Sequence, residues 1–228
     1  MIFDIVRGDF DFLELMIGLF SKLFVVFCTM PIHEFAHALI ATKLGDKTPK
    51  LSGRLTINPF AHIDLLGALM IFLCGFGYAK PVSVNPRNFK DPKKGMALTA
   101  VAGPISNLTM GFIFVLISTI FKNVVENFGI ISENNYLMLN AIYSFFYFAA
   151  VININLAVFN LLPIPPLDGS RILQLFIPNK YYYKFLQYER YITIAVFVLI
   201  ISGVLSAPLT IASSFVLDLF TKIANLVF

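Results

Sequence analysis

Charge is what this chain has least of. Only 13% of its 228 residues are Asp, Glu, Lys or Arg, about half the share of a soluble domain. With 58% hydrophobic residues and a mean hydropathy of +0.81, that scarcity excludes an ordinary soluble globule and identifies an integral membrane protein. Cysteine is scarce too. Cys28 and Cys74 are the only two, and both fall in apolar runs. They read as small buried hydrophobes, which excludes a disulfide framework. Long polar stretches are missing, so the length leaves no room for a separate soluble domain. The opening Met1-Ile2-Phe3-Asp4 is acidic rather than basic, so no cleavable signal peptide is expected. The net charge of +4 sits in short loops, where it reports topology and contact with anionic lipid; nucleic acid is not an expected partner.

Histidine is also rare, with three in the chain. Two of them stand in His33-Glu34-Phe35-Ala36-His37, inside the apolar run Leu23 to Leu44. Two imidazoles and a carboxylate in hydrocarbon are costly, and such groups mark function by default. On a helix, positions four apart lie on one face, so His33 and His37 can hold one metal ion between them. Glu34 can then reach a water at that ion and act as general base. Zinc suits two imidazoles and a carboxylate with a fourth position open. The third protein ligand has two candidates. His62, with Asp64 beside it, follows a turn signal at Asn58-Pro59. Asp168 ends Pro163-Ile164-Pro165-Pro166-Leu167-Asp168-Gly169, where three prolines stop a helix and stiffen the backbone.

The remaining chain reads as membrane helices joined by short loops. An apolar run extends from Phe12 to Leu44, with Lys22 able to snorkel. Lys43 to Arg54 is a basic loop, with a short strand expected at Leu51–Ile57. Leu65 to Tyr78 is too short for a full span of about 20 residues. Basic loops flank it on both sides, so crossing the membrane would put positive charge on opposite faces, against the positive-inside rule. It reads as re-entrant, with a short edge strand expected at Ala79–Val84. Met96–Phe121 and Tyr136–Leu162 are full spans, and Ile192–Leu205 with Leu209–Phe228 form a terminal hairpin of two more. The fold class is therefore all-α and polytopic. It has about five spanning helices and a re-entrant or strand-containing segment near the His-Glu motif. Residues 1–228 form one membrane-embedded domain, with a core of about 24–177 and a hairpin of about 191–228. Positive-inside places the end of the first helix, the second basic loop and Asp168 on the cytoplasmic side, and the C-terminus returns there.

Three motifs together resemble the site-2 protease family of intramembrane zinc metalloproteases, in its compact prokaryotic branch without PDZ or CBS domains. They are His33-Glu34-Phe35-Ala36-His37, Gly103-Pro104-Ile105-Ser106-Asn107 and Asn160-Leu161-Leu162-Pro163-Ile164-Pro165-Pro166-Leu167-Asp168-Gly169. The resemblance implies that Asp168 is the third zinc ligand and that Asn107 lies near the substrate or the developing oxyanion. It implies peptide-bond hydrolysis within or near a transmembrane helix of a membrane-protein substrate, in a prokaryotic plasma membrane. His62 is a second candidate donor to the oxyanion. Local unwinding of the substrate helix is required before cleavage, and Lys80–Val84 can pair with the unwound chain by strand addition. A metal transporter would use similar buried polar groups, but no repeat relates the two halves of the chain.

Overall fold

The computed structural model describes residues 12–64, 80–127, 133–178, 180–181 and 187–227. The first apolar run forms one continuous rod of α1 (Phe12–Phe24), a π-helical turn (Val25–Thr29) and α2 (Met30–Lys43). The wider turn sits directly ahead of the His-Glu motif. Such turns are rare and recur at functional sites. Pro31 opens α2, where its missing N–H costs nothing.

Two short helices follow, α3 (Thr48–Leu51) and α4 (Pro59–His62). The strand expected at Leu51–Ile57 is not formed. Pro49 starts a helical turn, and Arg54 N–H closes it on the Pro49 carbonyl at 2.8 Å. Asn58-Pro59 initiates more than a turn: the Asn58 side chain accepts from Phe60 N–H and caps α4. No strand occurs among the described residues. Residues 80–85 form no helix or strand, with Val82 and Val84 half-buried between exposed neighbours. The re-entrant segment expected at Leu65–Tyr78 lies outside the described residues.

The long helices are α5 (Pro92–Asn127) and α6 (Glu133–Asn160), and α7 (Gly169–Leu173) follows the proline-rich segment. The terminal pair is α8 (Glu189–Ile201) and α9 (Ser206–Val227). Four helical stretches among the described residues are long and apolar enough to cross a membrane: Phe12–Lys43, Pro92–Glu126, Asn135–Asn160 and Ser206–Val227. The fifth expected span, Ile192–Leu205, is not among these described stretches. There α8 has 13 residues, roughly 20 Å of helix, against a hydrocarbon core of about 30 Å.

The bundle packs α5 against α2 and α6. At its centre Val25, Phe114, Val115, Ala149, Ala150 and Ala224 are buried together. Rings of Phe24, Phe114, Phe145 and Phe146 meet around them at 5.2–5.9 Å, a separation at which edge and tilted contacts are favourable. In lipid, packing of this kind holds helices together where the hydrophobic effect cannot. Thr210 to Leu217 of α9 lie beside Val151 to Asn155 of α6. Ala224, further along α9, is buried with Ala149 and Ala150, nearer the start of α6. The two helices therefore run antiparallel.

Candidate metal centre

Three elements build the site. The turn of helix between them brings His33 and His37 together, with Nε2 atoms 3.0 Å apart. Asp168 Oδ2 lies 3.4 Å from His33 Nε2 and 3.3 Å from His37 Nε2. Asp168 stands at the N-terminus of α7, yet its side chain makes no capping hydrogen bond, and its Oδ2 is buried with no hydrogen-bond partner. The carboxylate is therefore turned to the imidazoles and not spent on its own turn. A tetrahedral ion with bonds of about 2.0–2.1 Å has edges of about 3.3 Å. The three atoms stand close to that spacing, and the donor set of two imidazoles and one carboxylate fits zinc. His33, His37 and Asp168 form the one group of three such residues with this convergence among the described residues.

α5 forms the wall behind the imidazoles with three residues one turn apart. The Thr99 carbonyl accepts from His37 Nδ1–H at 2.7 Å, which fixes the ring and leaves the Nε2 lone pair facing Asp168. At Gly103 a Cβ would overlap His37 Nε2 and the ring of His33. Asn107 is buried, and its Oδ1 has no partner. A fourth close approach shapes Asp168 itself: a Cβ at Gly169 would overlap the Leu161 and Leu162 carbonyls. Only glycine lets α7 start so near the end of α6.

Two chambers meet at His37 and Asp168. One, of about 330 Å³, is lined by Glu34, Asn107, Asn160 and Asp168. The other, of about 210 Å³, is lined by Val82, Val84, Thr99 and Arg171. His37, Pro81 and Asp168 border both. Glu34 is buried one residue from the first imidazole. Of the residues the sequence singles out, His33, Glu34, His37, Asn107 and Asp168 thus border one cavity. His62 does not line it. It is buried in α4, and its Nε2–H donates to the Thr56 carbonyl at 2.7 Å within its own segment. Sequence reasoning missed Thr99, which acts through its backbone and leaves no side-chain signal, and Asn160, which opens the proline-rich motif and carried no assigned role.

A cluster of this kind, set among apolar helices that match the thickness of a bilayer, defines a membrane-embedded metallopeptidase. The model of Peptidase family M50 matches residues 21–203, and the chain belongs to that family. The Bacillus subtilis protein YwhC is 39% identical over 197 residues, covering 84% of this chain and 87% of its own. The zinc metalloprotease MJ0392 of Methanocaldococcus jannaschii is 28% identical over 181 residues, 75% of this chain and 41% of that protein. The regulator of sigma-W protease RasP of Bacillus subtilis is 49% identical over a stretch of 49 residues, 22% of this chain and 12% of RasP. No solved structure matches the chain.

Proposed function

We propose that this protein cuts a peptide bond within or near a transmembrane helix of a membrane-protein substrate, using zinc held by His33, His37 and Asp168. The observation that carries the reading is the convergence of two Nε2 atoms and Oδ2 at 3.0–3.4 Å, bordering a cavity that Glu34 also lines. Zinc bound there supplies a Lewis acid that polarises a carbonyl and acidifies water. Glu34 takes the proton of the attacking water on its carboxylate and returns it to the leaving amine. Asn107, buried in the same wall and lining the same cavity, offers its Nδ2–H to the carbonyl oxygen as negative charge develops. His62 spends its N–H on Thr56, so the oxyanion role falls to Asn107.

Thr99 orients His37, and Gly103 gives the imidazoles their room. Pro81, Val82 and Val84 border the second chamber, which suits a substrate chain unwound and laid alongside by strand addition. The chain reads as one membrane-embedded domain, with a core of about 24–177 and a terminal hairpin of about 191–228. The basic loops around the site assign it to the cytoplasmic half of a prokaryotic plasma membrane.

The test is metal content and cleavage of a membrane-helix substrate by purified protein in detergent. Wild type should carry one zinc per chain. Glu34→Gln should keep the zinc and lose activity by about 10²–10⁴-fold. Asp168→Ala should lose both. A Glu34→Gln protein that still cuts would end the proposal.

A further inference from the structure

Outside the catalytic wall, α2 and α5 form a second groove of about 590 Å³, within the roughly 300–1,000 Å³ range of ligand sites. From α2 it is lined by Ala36, Leu39, Ile40 and Lys43, and from α5 by Leu98, Val101, Ala102 and Ile105. Each set follows helical spacing, so each is one stripe. The groove is apolar along its shaft. Ser106 is its one hydroxyl, and that hydroxyl already donates to the Gly103 carbonyl at 2.7 Å. Nothing along the shaft is free to bond a peptide backbone.

Charge appears at one end only. Lys43 ends α2 and lines the groove. Lys94 stands one turn before Leu98 on the same stripe of α5, near the start of that helix. The two ends lie together because Asp46, just after α2, accepts hydrogen bonds from Asn85 and Asn88, just before α5. The nearest opposing charge is Asp91, 3.8 Å from Lys94 Nζ, and both side chains are well exposed, so that pair holds Lys94 weakly. An apolar shaft with Lys43 in its lining at one end and Lys94 one helical turn beyond Leu98 at the same end complements an acyl chain with an anionic headgroup.

We propose that this groove holds an acyl chain of one anionic glycerophospholipid, with the phosphate between Lys43 and Lys94. The consequence for the site is mechanical. Ala102 lines the groove and its neighbour Gly103 touches both imidazoles, while Ala36 and Ile40 share α2 with His33 and His37. A chain seated there supports the helix pair that carries the metal ligands. The proposal does not depend on catalysis, and its test reads binding alone.

The chain contains no tryptophan, so Leu98→Trp creates a single reporter in the groove. In bilayers of equal composition, brominated phosphatidylglycerol should quench it with about tenfold or greater preference over brominated phosphatidylcholine, since each lysine near the surface favours anionic lipid. Adding Lys43→Gln and Lys94→Gln should reduce that preference to within about twofold. Adding Lys122→Gln, at the far end of α5, should leave it intact. Equal quenching by the two lipids, or a preference that survives loss of both lysines, overturns the proposal. Absence of quenching by either lipid also overturns it, by showing that protein fills the groove instead.

Discussion

Gly103 has no room for a side chain at the metal centre. Its missing Cβ is the space occupied by His37 Nε2 and the His33 ring. In Gly103→Ala the methyl group must displace at least one imidazole, because α5 is held by Thr99 on one side and the buried cluster on the other. Zinc affinity should fall by about 10–100-fold or more, the range seen when groups that orient metal ligands are removed. Titration with a chelator of known affinity measures it. Unchanged affinity would mean that the two helices part easily, and that the close approach matters little. The same crowding explains what could be read beforehand. Imidazole spacing is a side-chain signal and points to His33 and His37; the carboxylate after the proline run is one of two candidates for the third ligand, and the family resemblance selects Asp168. The reason for a glycine in the second motif lies in a contact with another helix, which no local pattern encodes.

At the scale of elements, the loop after α2 is tied to the segment before α5 by one carboxylate. Asp46 Oδ1 accepts from Thr48 N–H, Thr48 Oγ1–H and Asn88 Nδ2–H, and Oδ2 accepts from Asn85 N–H at 2.7 Å. The buried site works to raise its pKa, but these bonds outweigh burial and hold the carboxyl below the usual range. A depressed folded value means the charge stabilises the fold above the unfolded pKa of about 3.9, and that this contribution is lost as pH falls through the folded value. In Asp46→Asn one amide N–H₂ must face a donor. At pH 7 the variant should be less stable by about 1.5–3 kcal/mol, and the gap should shrink as wild type is acidified below about pH 4. Thermal melts in detergent at both pH values check the sign. The latch matters to the site because Asn85 follows Val84, which borders the second chamber. This connection was not legible in sequence, where Asp46 is one polar residue in a basic loop. Nor was the π-helical turn at Val25–Thr29, because an apolar run looks the same whichever carbonyl its N–H groups choose. The strand expected at Leu51–Ile57 is absent because Pro49 starts a helical turn that takes up Leu51 and closes at Arg54.

For the whole molecule, the number of crossings decides where the chain ends. A terminal hairpin of two spans would return Val227 to the cytoplasmic side. Among the described residues one terminal helix, Ser206–Val227, has sufficient length, and the described part of α8 falls short by about a third. The direction of α9 agrees with one crossing. It is antiparallel to α6, which ends at the basic side beside Asp168, so α9 starts at that side and finishes at the other. Lys122 marks that other side, paired at its helix end with Glu126 at 3.7 Å. If the basic loops are inside, a count of four crossings puts Phe12 and Val227 on the same outer face. Alkaline phosphatase fused after Phe228 should therefore be active, and a fluorescent protein fused there should stay dark. The same reporters inserted in the basic loop at Lys47 should give the reverse. A C-terminal fusion that fluoresces would restore a fifth crossing and require α8 to be lengthened by the residues around it. The catalytic reading would survive that outcome, because His33, His37 and Asp168 are positioned by α2, α5 and the end of α6, all ahead of the terminal pair.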